Sequence, residues 1–374
     1  MSTTDFGLLV MIMPTGGSVA EIVHGRENSL YPCPSCEEPA LVISINGSCI
    51  LPASRCEAYP CASPCLPMAS NPAINILLST YNGCRYLAAL LDSLLEQTCN
   101  NIIINIRDDG STDRTREILD AYSDLHPSIR VEYGDNLGPA RSFHELLKTA
   151  HEDDGYFAYC DQDDIWLADK IEAALTLLNA DNADGPLLYC SRLEYVDADL
   201  KHLGYSPVLK RAPKLHNALV ENVAIGCTLM FNHHTRKLLL DAPPPPSVMH
   251  DHWCYLLGSA FGRILFDPVP RIKYRQHKSN VYGAAASSYG LIKRRIARFI
   301  NSAGRAYHPH DTAMLFHEQF GDRLDSQNQG MIERFISSRK SFGNRVRYAL
   351  HPEVYRQSGL DNFILRCLIL ANHY

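Results

Sequence analysis

From residue 74 onward, apolar runs and amphipathic stretches alternate along the chain. Residues 74–79 (INILLS) form an apolar run that reads as a core strand. In 85–97, Leu87, Leu90, Leu91, Leu94 and Leu95 recur at helical spacing. A second strand over 102–106, a helix over 112–122 with Asp113 in its first turn, and a strand over Ile129–Tyr133 follow. A helix over 142–150 and a strand over Tyr156–Cys160 complete the series. Strand–helix alternation with short connections predicts an α/β fold: a parallel sheet with helices on both faces. Right-handed crossovers bring the carboxyl ends of the strands to one edge, where ligands bind. Beyond Trp166 the pattern is mixed. Residues 187–195 and 227–231 read as strands, His250–Phe261 as a helix and 264–274 as a strand pair broken by proline. Residues 243–246 are four prolines, a stiff linker into His250. The tail to Tyr374 reads as helical and carries no recognisable chemistry.

The first 67 residues break this pattern, with no period of 2 or 3.6 and much Pro, Ser and Gly. Six cysteines fall there: Cys33, Cys36, Cys49, Cys56, Cys61 and Cys65. Cys33-Pro-Ser-Cys36 has a zinc-site or redox spacing, yet no second pair follows at ribbon distance. Met68 opens a short polar lead-in to a core strand, as cytosolic α/β domains commonly begin. Residues 1–67 are therefore expected to be an over-extended reading frame, with a zinc module as the alternative. The expected organisation is an irregular Cys/Pro-rich extension (1–67), a catalytic domain (68–285) and a helical C-terminal region (286–374). Later cysteines such as Cys84, Cys160 and Cys227 sit singly in apolar runs and read as small buried hydrophobes of a reducing compartment.

Charge excludes one class of partner. The net charge of −6 gives no basic footprint for nucleic acid. No apolar run approaches the ~20 residues of a membrane helix. The early patch GLLVMIM lacks the basic flank of a secretory signal, so the expected location is the cytoplasm. Lys293, Arg294, Arg295 and Arg298 crowd one short stretch. A solvated helix face is the commoner reading, and peripheral contact with an anionic membrane surface is the alternative.

The strongest chemical signal is Cys160-Asp-Gln-Asp-Asp-Ile-Trp166, three carboxylates in four positions directly after a strand. Like charges at 4 Å repel by ~1 kcal/mol in water and ~4 at an effective dielectric of 20, so the cluster needs a reason. Oxygen ligands at a binding edge suit a hard cation, Mn²⁺ or Mg²⁺, bridging to a diphosphate. The plainer alternative makes Asp164 the cap of a following helix. Asp108-Asp-Gly-Ser-Thr-Asp113 follows the second strand. It reads equally as a capped turn around Gly110 or as a carboxylate that meets a base or ribose.

Residues 74–82, 108–113, 160–166 and 250–253, taken in order, resemble the inverting GT-A glycosyltransferases of family 2. The stretches STYNG, CDQDDIW, HDHW and YRQHKSNVYG resemble the rhamnosyltransferase-like branch. That resemblance implies a GT-A fold, a mixed and mostly parallel sheet with helices on both faces. It also implies a divalent metal and inversion at the anomeric carbon. By the same resemblance Thr80, Tyr81 and Asn82 line the nucleotide pocket. Asp108 contacts the base, Asp109 supports the turn, and Asp161 and Asp163 match the family's Asp-x-Asp, with Asp163 the direct metal ligand. Asp251 matches the general base. His277 is assigned to metal or phosphate, with Arg275 behind it. His252 stands where the family often has Trp.

The expected reaction moves a sugar, with L-rhamnose from dTDP-rhamnose as the favoured donor, to a hydroxyl of a saccharide or lipid-linked saccharide acceptor. The setting is cell-surface polysaccharide synthesis. Such a displacement needs one base on the acceptor side. Two other readings stay open. A sugar nucleotidyltransferase would carry a Gly-rich phosphate loop where this chain has Ser79-Thr-Tyr-Asn-Gly83. A non-catalytic nucleotide-sugar-binding module would have no need of Asp163 and Asp251.

Overall fold

The apolar run after Ala73 becomes β3 (Ile74–Thr80), the strand on which the rest of the sheet is ordered. The computed structural model describes residues 72–150, 155–181, 184–276 and 308–374, together with two short strands nearer the N-terminus. The backbone divides into two units, Met1–Leu66 and Pro67–Tyr374. In the first, β1 (Ile43–Ile45) and β2 (Ser48–Ile50) pair antiparallel.

The second unit contains β4 (Ile102–Asp108), β5 (Ile129–Tyr133), β6 (Tyr156–Cys160), β7 (Ile165–Trp166), β8 (Leu187–Val196), β9 (His202–Tyr205), β10 (Met230–Asn232) and β11 (Arg263–Arg275). With β3 they form one sheet in the order β5-β4-β3-β6-β10-β8-β11-β7, with β9 paired to β8. The sheet is mixed. Its four parallel pairings are the long ones, up to the nine-residue register of β8 with β11. The antiparallel pairings of β10, β7 and β9 are two or three residues long.

Helices cover both faces, as the alternation predicts. Ile74, Ile76 and Leu78 of β3 pack into one cluster with α1 (Leu87–Leu95) and α4 (Lys170–Ala180). Leu119 of α2 (Thr115–Leu125) joins them. Leu77 points the other way, into a cluster with α3 (Pro139–Thr149), α6 (His233–Asp241) and α7 (His250–Phe261). The period of two along β3 therefore feeds two cores from one strand.

Two expectations need correction. The apolar run 227–231 is not a strand throughout: Gly226–Thr228 is a 3₁₀ turn and only Met230–Asn232 pairs. Between β9 and β10 lies only the four-residue α5 (Leu215–Ala218), with no full crossover helix. β10 accordingly enters antiparallel, a pairing that needs no crossover. Residues 264–274 form one strand, not a pair. Pro268 and Pro270 cannot donate to the ladder, and β11 absorbs them as two register shifts before pairing resumes at Lys273.

Among the described residues, the tail supplies four helices: α8 (Pro309–Phe320), α9 (Ser326–Ser338), α10 (Phe342–Leu350) and α11 (Gly359–Ala371). Asp325, Ser341 and Ser358 cap the last three by accepting the N–H groups of Asn328, Asn344 and Asp361. Phe316 and Phe320 of α8 lie 5.7 and 5.9 Å, centroid to centroid, from the buried Trp253 of α7. The tail thus shares the core of the sheet domain. Among the described residues, no helix is long and apolar enough to cross a membrane.

Phe316→Ala should lower unfolding free energy by ~3–5 kcal/mol in a denaturant titration. A loss below ~1 kcal/mol, the range of a surface substitution, would separate the tail from the core. Started at Met68, the protein is expected to melt at the temperature of the full chain. A lower melting point, with zinc stabilising only the full-length form, would instead establish the first unit as a metal module.

Candidate active site

β3 and β4 end side by side, Thr80 opposite Asp108. The Asp108 carboxylate is fully buried there. Its Oδ1 accepts the Thr80 hydroxyl at 3.2 Å, and its Oδ2 accepts the Ser111 N–H at 3.1 Å and Arg116 Nε at 2.8 Å. Gly110, at φ +83°, makes the tight turn possible. Asp109 reaches across to the loop before α3. It accepts the N–H groups of Leu137 (2.9 Å) and Gly138 (2.8 Å), along with the Arg107 guanidinium. Both acids hold the turn together, the supporting role expected of Asp109. Asn82 takes a left-handed φ of +50°, which Asn tolerates, donates its N–H to Ser111 Oγ and accepts the Thr112 N–H. Tyr81 is exposed beside them.

Gln162 ties this edge to the acidic loop after β6. Its amide accepts the Tyr81 N–H at 2.9 Å and donates to the Tyr81 carbonyl at 3.0 Å. A Cβ at residue 83 would lie 2.2 Å from Gln162 Oε1, so this grip requires Gly83.

In the acidic loop, ligand atoms of Asp161, Asp164 and Cys227 lie within 4.8 Å of one another. Burial, then the charges of Asp163 and Asp251, push Asp161 up to about 7. Burial and the same crowding raise Asp164 well above the carboxylate range. Asp164 Oδ1 accepts the Arg275 N–H at 3.0 Å, while its buried Oδ2 has no hydrogen-bond donor. Asp164 is not a helix cap. It precedes β7, and α4 begins only at Lys170, after Asp169. Asp163 is half-buried beside the cluster, outside the trio that converges. Two carboxylates and a thiol, a third carboxylate alongside and one buried oxygen without a donor together fit a divalent cation.

Two residues of this centre escaped the sequence reading. Cys227, read as a small hydrophobe, is buried as expected but abuts Asp161 and Asp164, which with burial keep its thiol protonated. Lys170 is buried with its ammonium 3.5 Å from the Trp166 ring centroid. Burial lowers it to about 8, against the opposing pull of Asp164. Arg275 is committed to structure: it donates to the carbonyls of Asp163 and Ala198, both at 2.8 Å, and lies over the Tyr86 ring. His277 lies outside the described residues.

Asp251 sits in the first turn of α7. Its Oδ2 accepts Asn222 Nδ2 at 3.0 Å and the Gly226 N–H at 3.2 Å, and its Oδ1 accepts the His252 N–H at 2.7 Å. Burial nevertheless pushes it up to about 6. Its charge acts on Asp161 of the acidic loop. Asn222 was not anticipated, since nothing in its neighbourhood of the sequence marks it. The flanking histidines are poor bases. His250 stacks on Phe143 (4.0 Å between centroids) against Tyr159, and burial lowers it to about 3. Burial lowers His252 to about 4, with its Nε2 at 2.7 Å from the Ala218 carbonyl. Trp253 fills the core and donates to the Ala242 carbonyl.

Residues 75–232, from the second residue of β3 to the end of β10, match the model of Glycosyl transferase family 2. The chain carries a family 2 glycosyl transferase domain. It is a glycosyltransferase working from a nucleotide-sugar donor, on a mixed and mostly parallel sheet of the α/β class expected. Asp251 lies beyond the matched stretch. A dTDP-rhamnosyl transferase, RfbG, of Shigella flexneri is 29% identical over 232 residues, 58% of this chain and 77% of its own length. An uncharacterized glycosyltransferase of Rickettsia typhi is 27% identical over 225 residues, 58% of this chain and 67% of its own. Among solved structures, S. aureus TarS in complex with UDP-GlcNAc superposes with a TM-score of 0.48 at 15% identity, over 80% of this chain and 91% of that one.

The raised Asp251 makes a stability prediction. An acid whose folded value of about 6 exceeds its ordinary 3.8 favours folding most when protonated. That stabilisation is complete below 3.8 and is lost as pH rises through 6. Asp251→Asn should therefore melt higher than the wild type at about pH 8, with the gain shrinking toward about pH 4. The gain should stay under ~3 kcal/mol, because the amide cannot satisfy all three N–H donors. A variant that melts lower at both pH values would show that the hydrogen bonds outweigh the desolvation.

Proposed function

We propose that this protein transfers L-rhamnose from dTDP-rhamnose to a hydroxyl of a saccharide acceptor, with inversion, in cell-surface polysaccharide synthesis. One observation carries the mechanism: Asp251, buried and raised to about 6, lies near enough to the acidic loop for its charge to act on Asp161. A base of that strength is mostly ionised at neutral pH and takes a proton well. The donor assignment is supported by the likeness to a dTDP-rhamnosyl transferase.

In this reading Asp251 Oδ accepts the acceptor's hydroxyl proton, and Asn222 and the Gly226 N–H hold the carboxylate in place. The acceptor oxygen attacks the anomeric carbon as the bond to the diphosphate breaks, on the face opposite the leaving group. Thr80, Tyr81, Asn82 and the Asp108–Asp109 turn bind the nucleotide, with the exposed Tyr81 ring free to stack on the base. Asp161, Asp163 and Asp164 would hold Mn²⁺ or Mg²⁺. A bound divalent cation supplies charge neutralisation for the departing diphosphate.

Asp251→Asn is expected to keep donor affinity and lose ~10²–10⁴-fold in turnover at saturating substrates. Transfer within about threefold of wild type, or a loss of donor binding instead, would make the residue structural. In a thermal-shift panel, dTDP with Mn²⁺ at ~100 times its dissociation constant should stabilise the protein by ~2.7 kcal/mol. Asp163→Asn should abolish the Mn²⁺-dependent part and leave the apo melt intact. An unchanged metal effect removes Asp163 from the ion's ligands, and a larger shift with UDP than with dTDP overturns the donor assignment.

A further inference from the structure

α11 presents an apolar stripe to solvent. Leu360 (44% exposed), Phe363 (65%), Cys367 and Leu370 (40%) follow one another at spacings of three, four and three. On a helix these positions fall within one narrow arc. The opposite side of α11 is spent on the core: Leu365 and Ile369 are buried. The stripe continues onto α10. Arg345 of α10 donates to the Leu370 carbonyl, and its guanidinium lies 5.6 Å from the ring centroid of Phe342, itself 65% exposed. Two large aromatic side chains and two leucines thus stand in water on neighbouring helices. Isolated exposed hydrophobes are ordinary, but a contiguous stripe is not.

The surrounding charge says what covers it. Residues 339–374 contain six Lys and Arg and two Asp and Glu, an excess of four positive charges. The chain as a whole carries −6, so the remainder carries −10. Of the two acids, Glu353 is taken by Arg334 in a two-pronged pair at 2.6 and 2.8 Å, and Asp361 is buried at the start of α11. Arg366 is exposed at the border of the stripe, and Arg345 stands between Phe342 and the end of α11. A second copy of the same face would bring arginines against arginines, which disfavours self-association. An anionic bilayer surface meets both needs: apolar side chains enter the headgroup boundary while arginines meet lipid phosphates.

We propose that the α10–α11 face is a docking surface for anionic lipid, and that the acidic remainder of the chain turns away from the bilayer. This rests on the C-terminal helices alone. It stands whichever sugar the active site transfers.

The test is sedimentation of the full chain with vesicles of phosphatidylcholine, alone or with phosphatidylglycerol added, at low and high salt. Binding should be at least ~10-fold stronger to the anionic vesicles and weaken with salt. Phe363→Asp and Arg366→Glu should each reduce it several-fold, without change in melting temperature, since both side chains are exposed. Equal binding to both vesicle types, no binding to either, or binding untouched by both variants would overturn the proposal. So would a dimer in solution that Phe363→Asp dissociates, which would give the face to a second copy.

Discussion

Carboxylates drawn out of water beside one another set the terms for the domain. Burial with the charges of Asp163 and Asp251 raises Asp161, burial with the charges of Asp163 and Asp161 raises Asp164, and burial raises Asp251, beside the edge where β3, β4 and β6 end. Nothing in such a cluster favours folding. The apolar clusters on the two faces of the sheet must hold it in place. The nearby cations offset it only in part. Lys170 is itself lowered by burial, and the Arg275 guanidinium is spent on two carbonyls. Acids held together against that cost fit a cationic ligand, which would lower all of them at once.

The proposed general base is prepared differently. Asp251 accepts three hydrogen bonds, each of which favours its ionised form, and burial still wins. The outcome is a carboxylate poised between strong and weak acid. Its neighbours cannot compete for the role, because His250 and His252 are packed among rings and carbonyls and stay neutral.

The sheet as far as β6 was legible because its elements are local: an apolar run of five to seven residues, a turn, an amphipathic helix. Beyond Trp166 legibility fails where tertiary contacts decide. α4 carries Lys170 at its buried start, which hides its apolar face from a periodicity count. The run from Cys227 looks like a strand, but the Gly226 N–H is claimed by Asp251 and the chain turns there instead. The acidic motifs were visible from spacing. Their partners were not, because Cys227, Asn222 and Lys170 become chemical only through neighbours 29 or more residues away, or through burial. The capping alternative for Asp164 falls because its partner, the Arg275 N–H, is 111 residues along the chain.

The grip of Gln162 on the Tyr81 backbone has an evolutionary consequence. It joins the edge after β3 to the acidic loop through one amide, with no room between them for a side chain at residue 83. A larger residue at 83 would push the Gln162 amide off the Tyr81 backbone, and a shorter residue at 162 would let go of it; either change slackens the loop that carries Asp161 and Asp163. The two positions therefore answer for one property, and a change at one leaves the other with nothing to preserve.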